Sequence, residues 1–459
     1  MAITTTDPRS GEVLRTFDEL TDEQLQDRLA RAAAAAESYR LTTFEQREGW
    51  LRAAADILDK RTDEVAELMT LEMGKTKKAS VAEIGKCAAV LRYYADNAAG
   101  FLADEPVNPE SVNASQAYAH YLPIGVVLAI MPWNFPLWQA MRFAAPALAA
   151  GNVGLLKHAS NVPQTALFME ELFRDAGFPD DAFQTLLIGS SKIEAVLRDD
   201  RVAAATLTGN EGAGVAVART AGEVLKKVVL ELGGSDPFVV MPSADLAQAA
   251  KVATTSRCQN NGQSCISAKR FIVHTDVYDE FVELFAAELS ALTGGDPMQD
   301  GTDVGPLATE QGREDVEELV KDAVDKGAQV LVGGERPDQE GWWYPPTLVA
   351  GVTEDMDMYL EEVFGPVAQV HRAEDLQDAV RIANATRFGL GSNAWTNDPE
   401  EQQVLIRDLA AGQTFVNGMV ASFPALPFGG VKASGHGREL AAHGIREFMN
   451  VKTVWFGKQ

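Results

Sequence analysis

Positive charge is what this sequence has least of. Against 66 acidic residues stand 40 lysines and arginines, a formal charge of −26 over 459 residues. No basic stripe remains to neutralise phosphates, which excludes nucleic-acid binding as the main activity and disfavours an anionic membrane surface. Cysteine is scarce as well, at Cys87, Cys258 and Cys265 only. An odd, sparse set of thiols builds no disulfide framework and fits a reducing compartment. The six histidines are scattered, and no His/Cys group has ligand spacing, so no metal site is expected. No stretch reaches the roughly 18 apolar residues of a membrane span, and Met1 to Arg15 is polar, without an apolar signal core. These absences predict a cytoplasmic protein with neither nucleic acid nor membrane as partner. There is also no Walker loop and no G-x-S-x-G elbow, which removes two common enzyme classes.

What is present is an ordinary globular mix, 46% apolar and 23% charged, in a chain long enough for two or three domains. The first hundred residues read as helical: Asp22 to Ser38, Thr43 to Leu71 and Lys75 to Ala98 carry apolar residues at three-to-four spacing. Ser115 to Leu122 alternates like an exposed or edge strand. From Gly125 the texture changes. Buried-strand runs at Gly125–Ile130, Val153–Lys157, Phe183–Ile188, Val202–Thr208 and Lys227–Glu231 alternate with helical segments. That alternation predicts a doubly wound parallel sheet, which binds ligands beyond the carboxyl ends of its strands. A second α/β region starts near Ser235, and the tail from Asn450 alternates like a strand able to pair with a partner subunit.

Several loops stand out. In Asn260-Asn261-Gly262-Gln263-Ser264-Cys265 the turn-forming residues describe an exposed loop presenting a cysteine, a candidate thiolate nucleophile if its pKa is lowered; a small apolar residue opening a helix is the plain alternative. Cys87 and Cys258 read as core packing. In Leu230-Glu231-Leu232-Gly233-Gly234 a carboxylate closes a strand ahead of two glycines, so it either faces the ligand crevice or simply ends a strand. In Met131-Pro132-Trp133-Asn134-Phe135-Pro136 an asparagine in a stiff loop either donates to an oxyanion or forms an Asx turn. Thr208-Gly209-Asn210-Glu211-Gly212-Ala213-Gly214 opens a helix without a G-x-G-x-x-G pattern, so it is an anion site or loop packing. Glu361-Glu362-Val363-Phe364-Gly365-Pro366 and Pro427-Phe428-Gly429-Gly430-Val431-Lys432 say little alone.

Together, and in this order, the loops closely resemble the aldehyde dehydrogenase superfamily over nearly the whole chain. The 34-residue step from Glu231 to Cys265 and the 97-residue step from Cys265 to Glu362 match that family's spacing. The resemblance implies a doubly wound cofactor domain (residues 1–104 and 124–233), a second α/β catalytic domain (234–445) and a small β oligomerisation element (105–123 and 446–459). It also implies a homodimer or homotetramer. It assigns Cys265 as nucleophile, Glu231 as general base for deacylation and Asn134 as oxyanion donor. Lys157 is implied at the adenosine ribose, Glu362 and Phe364 at the nicotinamide ribose, Gly209 and Gly214 beside the pyrophosphate, and Trp133 on the adenosine side. Position 160 is Ser160, where NAD-preferring members often carry glutamate; a serine does not repel a 2′-phosphate, so NADP is accepted and NAD stays open.

For substrate, Met131–Lys157 with the following His158-Ala159-Ser160-Asn161 resembles succinate-semialdehyde dehydrogenases. Arg142 matches their arginine for the substrate carboxylate, with Ser422 as a second contact and a surface salt bridge as the plain alternative for Arg142. Their further arginine is Gln259 here, with Arg257 close by as a substitute. The expected activity is oxidation of a small aldehyde, foremost succinate semialdehyde, to its acid through a cysteine thioester. A broad-specificity aldehyde dehydrogenase and a catalytically silent protein on the same fold are the alternatives.

Overall fold

In a computed structural model, residues 3–458 are described. The apolar run Val126–Met131 is fully buried, as a strand covered on both faces must be. It pairs in parallel with Val153–His158 on one side and Val202–Thr208 on the other. Phe183–Thr185 and Lys227–Glu231 extend the sheet outward from these two neighbours. The winding reverses at Val126–Met131, which places a ligand crevice at the strand ends Met131, His158, Thr208 and Glu231. The helices Phe44–Lys60, Lys77–Phe101 and Trp138–Ala150 pack into the same apolar core as this sheet. Thr43 caps the first of them in a capping box with Gln46.

A second sheet has seven strands in the order Gln329–Val332, Thr347–Ala350, Val367–Ala373, Ala268–His274, Asp236–Val240, Asn393–Trp395, Phe415–Val416. All its pairs are parallel except the first. A third, antiparallel sheet joins Met449–Phe456, Gln116–Pro123 and Glu105–Pro106.

Three sequence expectations need correction. The chain does not begin with helices: Ile3–Asp7 and Glu12–Phe17 form a hairpin that ties to both halves, through Thr4 N–H to the Ser160 carbonyl and Trp342 N–H to the Pro8 carbonyl. The strand over 116–123 is central in its sheet rather than an edge, because the tail strand covers its other side. Finally, Gly435–His436 leaves the second region and pairs antiparallel with Lys227–Glu231, so the first sheet borrows a strand from beyond residue 234.

Candidate active site

The four crevice-facing strand ends deliver four loops to one place, and glycines let them close. A side chain at Gly234 would put its Cβ 2.6 Å from the Cys265 carbonyl oxygen, and one at Gly233 would reach 2.7 Å from Glu362 Oε2. Gly429, at φ +152°, would bring a Cβ 2.7 Å from Glu231 Oε1. The missing Cβ atoms are therefore the space in which Glu231, Glu362 and the cysteine loop meet. Asn134 joins them, its Nδ2 donating to the Gln263 carbonyl at 3.1 Å.

Residues 260–264 of the cysteine loop are buried, contrary to the exposed turn its composition suggested, while Cys265 itself is half-buried. Its turn residues satisfy backbone groups internally. Asn260 and Asn261 both take left-handed conformations. Asn260 Nδ2 donates to the carbonyls of Asn134 and Gln263, and Asn261 Nδ2 to those of Gly74 and Pro306. Arg257 is fully buried and donates to the Gly262 carbonyl at 2.5 Å; it braces the loop from behind instead of reaching substrate. Lys269 Nζ holds the carbonyls of Ser264 and Cys265, each at 2.8 Å, and lies 3.0 Å from Glu362 Oε1.

Burial dominates the electrostatics. It pushes the Cys265 thiol up to about 12, against the pull of Arg142 and Lys269. The lowered thiol pKa that a ready thiolate needs is not supplied by these neighbours. Burial also raises the Glu231 carboxyl well above the usual range, helped by the nearby Glu439 charge and opposed by Arg142 and Arg438. Neither Glu231 oxygen has a hydrogen-bond partner among the described residues, and Asn134 Oδ1 also has none. An Asn amide nitrogen carries two hydrogens, so Asn134 keeps a second donor beyond the one on Gln263. Cys87 and Cys258 are core residues, as read from sequence.

The cofactor residues fit a dinucleotide. Lys157 is the penultimate residue of the strand Val153–His158, its pKa lowered by burial, and Ser160 follows with no carboxylate at that position. Trp133 packs edge-on against Phe364, ring centroids 5.7 Å apart, which closes the Asn134 loop onto the Glu362 loop. Gly209 and Gly214 sit at a helix start, and the contacts they make there are packing contacts. The Gly209 N–H donates to the Glu231 carbonyl at 3.0 Å, and a Cβ on Gly214 would strike Leu232 at 2.7 Å. They fix the packing of the helix Glu211–Glu223, capped by Asn210, and Gly209 has no amide left to offer an anion.

On the substrate side, Arg142 is 2% exposed. Its Nε lies 2.7 Å from Glu439 Oε2, and its guanidinium stacks 4.3 Å from the Phe428 ring centroid. It is a buried ion pair, not a surface one. Its charge is felt by Cys265, Glu231, Glu439 and Lys86. Ser422 Oγ accepts from Lys86 Nζ at 2.7 Å and from Trp138 Nε1 at 3.0 Å. Sequence reasoning missed Lys86 and Glu439. A lysine on an amphipathic helix reads as a solvent-facing residue, and nothing local marks it; Glu439 carried only a weak signal, its place behind the glycine-rich 427–435 stretch. A third omission is the buried Lys75–Glu83 pair. Glu83 Oε1 accepts the N–H groups of Leu137 and Trp138 and so caps the helix that follows Asn134.

Among the described residues, no group of three or more His, Cys, Asp or Glu could hold a metal ion, and no helix is long and apolar enough to cross a membrane.

The sequence profile of the Aldehyde dehydrogenase family matches residues 1–454. The chain is 60% identical to succinate-semialdehyde dehydrogenase [NADP(+)] 1 of Mycobacterium tuberculosis over 455 residues, 99% of this chain and 100% of that protein. It is 59% identical to succinate-semialdehyde dehydrogenase [NADP(+)] of Mycobacterium leprae, again over 99% of this chain and 100% of that one. The crystal structure of succinic semialdehyde dehydrogenase from Streptococcus pyogenes in complex with NADP⁺ superimposes with a TM-score of 0.97 at 39% identity, covering 100% of both chains.

Proposed function

Since the chain belongs to the aldehyde dehydrogenase family, we propose that it oxidises succinate semialdehyde to succinate with NADP⁺. The observation that carries the substrate is a cationic end to the site: Arg142 and Lys86 both act on the Cys265 thiol or its surroundings, and Ser422 offers its hydroxyl beside them. In a protein of net charge −26, a buried arginine and a half-buried lysine within electrostatic reach of the candidate nucleophile suit an aldehyde that itself carries a carboxylate.

The chemistry is assigned to the chain's own residues. Cys265 Sγ forms a bond to the aldehyde carbon as its proton leaves to Glu231, whose raised proton affinity makes it the stronger base. Turnover therefore rises with pH as that carboxyl ionises. The free Asn134 N–H and the Cys265 backbone N–H stabilise the oxyanion of the thiohemiacetal, an interaction of about 3–4 kcal/mol. Lys157, Ser160, Glu362, Phe364 and Trp133 would hold the dinucleotide, with Gly209 and Gly214 fixing the helix beside it; when bound, its nicotinamide supplies the hydride acceptor. Glu231 releases the thiol proton to solvent, and the thioester is then hydrolysed by a water whose proton passes to Glu231 as the Cys265 sulfur leaves the acyl carbon. Lys269 keeps the cysteine backbone still through these steps. The edge strand Met449–Phe456, with Val451, Trp455 and Phe456 exposed, supports assembly as a homodimer or homotetramer. Three free cysteines suit a cytoplasmic setting.

Steady-state kinetics on an aldehyde panel with both cofactors tests the substrate. Succinate semialdehyde should exceed neutral aldehydes of equal length by about tenfold or more in kcat/KM. No advantage from the terminal carboxylate overturns it.

A further inference from the structure

Lys86 occupies an unusual place for a lysine in so acidic a chain. It lies on the helix Lys77–Phe101, beside the fully buried Cys87. Its ammonium rests 4.2 Å from the Trp138 ring centroid, and its hydrogen-bond partner among the described residues is the Ser422 hydroxyl, not a carboxylate. Arg142, the residue that sequence reasoning put on the substrate, pairs with Glu439 and stacks on Phe428, while its Nη2 has no hydrogen-bond partner among the described residues and stays available. Of the two cations, Lys86 is the one without a counter-charge in contact.

We propose that Lys86, seated on Trp138 and bonded to Ser422, makes a direct ion pair with the carboxylate of the substrate, beside Arg142. The inference rests on the succinate semialdehyde reading and narrows it. A carboxylate arriving at Lys86 supplies the missing counter-charge, and Ser422, which accepts from Lys86 and Trp138, turns its own O–H to the second carboxylate oxygen. The indole face lends the ammonium a cation–π contact that leaves its N–H groups available.

The arrangement also makes substrate recognition titratable. Burial, together with repulsion from Arg142 on the neighbouring helix, lowers the Lys86 pKa to about 8; Cys87 and Glu83 on its own helix and Cys265 from the nucleophile loop act the other way. In the free enzyme the ammonium is therefore full below about pH 8 and is lost above it. Because kcat/KM reports the free enzyme, the preference for an acidic aldehyde should decline as pH rises through that value, while a neutral aldehyde is indifferent to this group.

The test compares kcat/KM for succinate semialdehyde with that for its neutral carboxamide analogue, as a ratio that cancels the shared chemistry of Cys265 and Glu231. In the unaltered enzyme the ratio should be flat to about pH 8 and then fall about tenfold per pH unit. Lys86→Met should lower the ratio at pH 7 by about 10²-fold, concentrated in KM for the acid. Lys86→Arg, which stays charged, should keep the ratio flat to pH 10. A pH-independent ratio in the unaltered enzyme, which needs no variant to fold, overturns the assignment. A high ratio that survives Lys86→Met overturns the lysine's role alone. A ratio near one in the unaltered enzyme defeats the succinate semialdehyde reading and the lysine's role with it.

Discussion

Replacing Gly234 by alanine adds one methyl group at the tightest point of the site. Its Cβ would stand 2.6 Å from the Cys265 carbonyl oxygen, 3.1 Å from Asp236 Oδ1 and 3.2 Å from Leu390 Cβ. The first of these contacts is with backbone, and Lys269 Nζ holds that oxygen at 2.8 Å, so no side chain can swing away. Restoring an ordinary carbon–oxygen separation of about 3.3 Å moves the carbonyl, and the sulfur with it, by roughly 0.7 Å. A displacement of about 1 Å at a reacting centre can cost about 10²-fold, so Gly234→Ala should lose about 10- to 100-fold in kcat. Overpacking should destabilise the fold by about 1–3 kcal/mol. Gly49→Ala is the control, since Gly49 lies in the helix Phe44–Lys60 with nothing within 4 Å of an added Cβ. It should gain about 0.5–1 kcal/mol and leave turnover unchanged. Reduced-cofactor absorbance gives the rate and thermal unfolding the stability. Turnover in Gly234→Ala within threefold of the unaltered enzyme would refute the claim that these glycines set the position of the sulfur.

Two further substitutions examine the assigned roles. Glu231→Gln keeps the shape of a side chain whose oxygens have no hydrogen-bond partner among the described residues. It should slow acylation and deacylation together, so that no burst of reduced cofactor precedes a steady state about 10²- to 10⁴-fold slower; a steady state within tenfold of normal would show that another group takes these protons. Ser160→Glu places a carboxylate where a 2′-phosphate is expected, a repulsion of about 1–4 kcal/mol. The NADP⁺-to-NAD⁺ ratio of kcat/KM should fall about tenfold or more, and an unchanged ratio would remove Ser160 from cofactor selection.

The sequence by itself determined the parallel sheet, because buried strands such as Val126–Met131 read as unbroken apolar runs. It also marked where the chemistry lies, because close approach needs glycine, and Gly233-Gly234 and Gly429-Gly430 are visible as letters. Tertiary structure alone decided the rest. Lys86 meets Ser422 across 336 residues of chain, a distance over which no periodicity or spacing carries information. The same holds for Arg142 and Glu439, whose buried ion pair joins distant segments of the chain. The cysteine loop was legible as a turn, yet its burial depends on carbonyls from Gly74 and Pro306 that Asn261 satisfies. Protonation states belong wholly to the folded molecule. A thiol or carboxyl is shifted by the solvent it loses and the charges it faces, and neither exists until distant segments have packed around it.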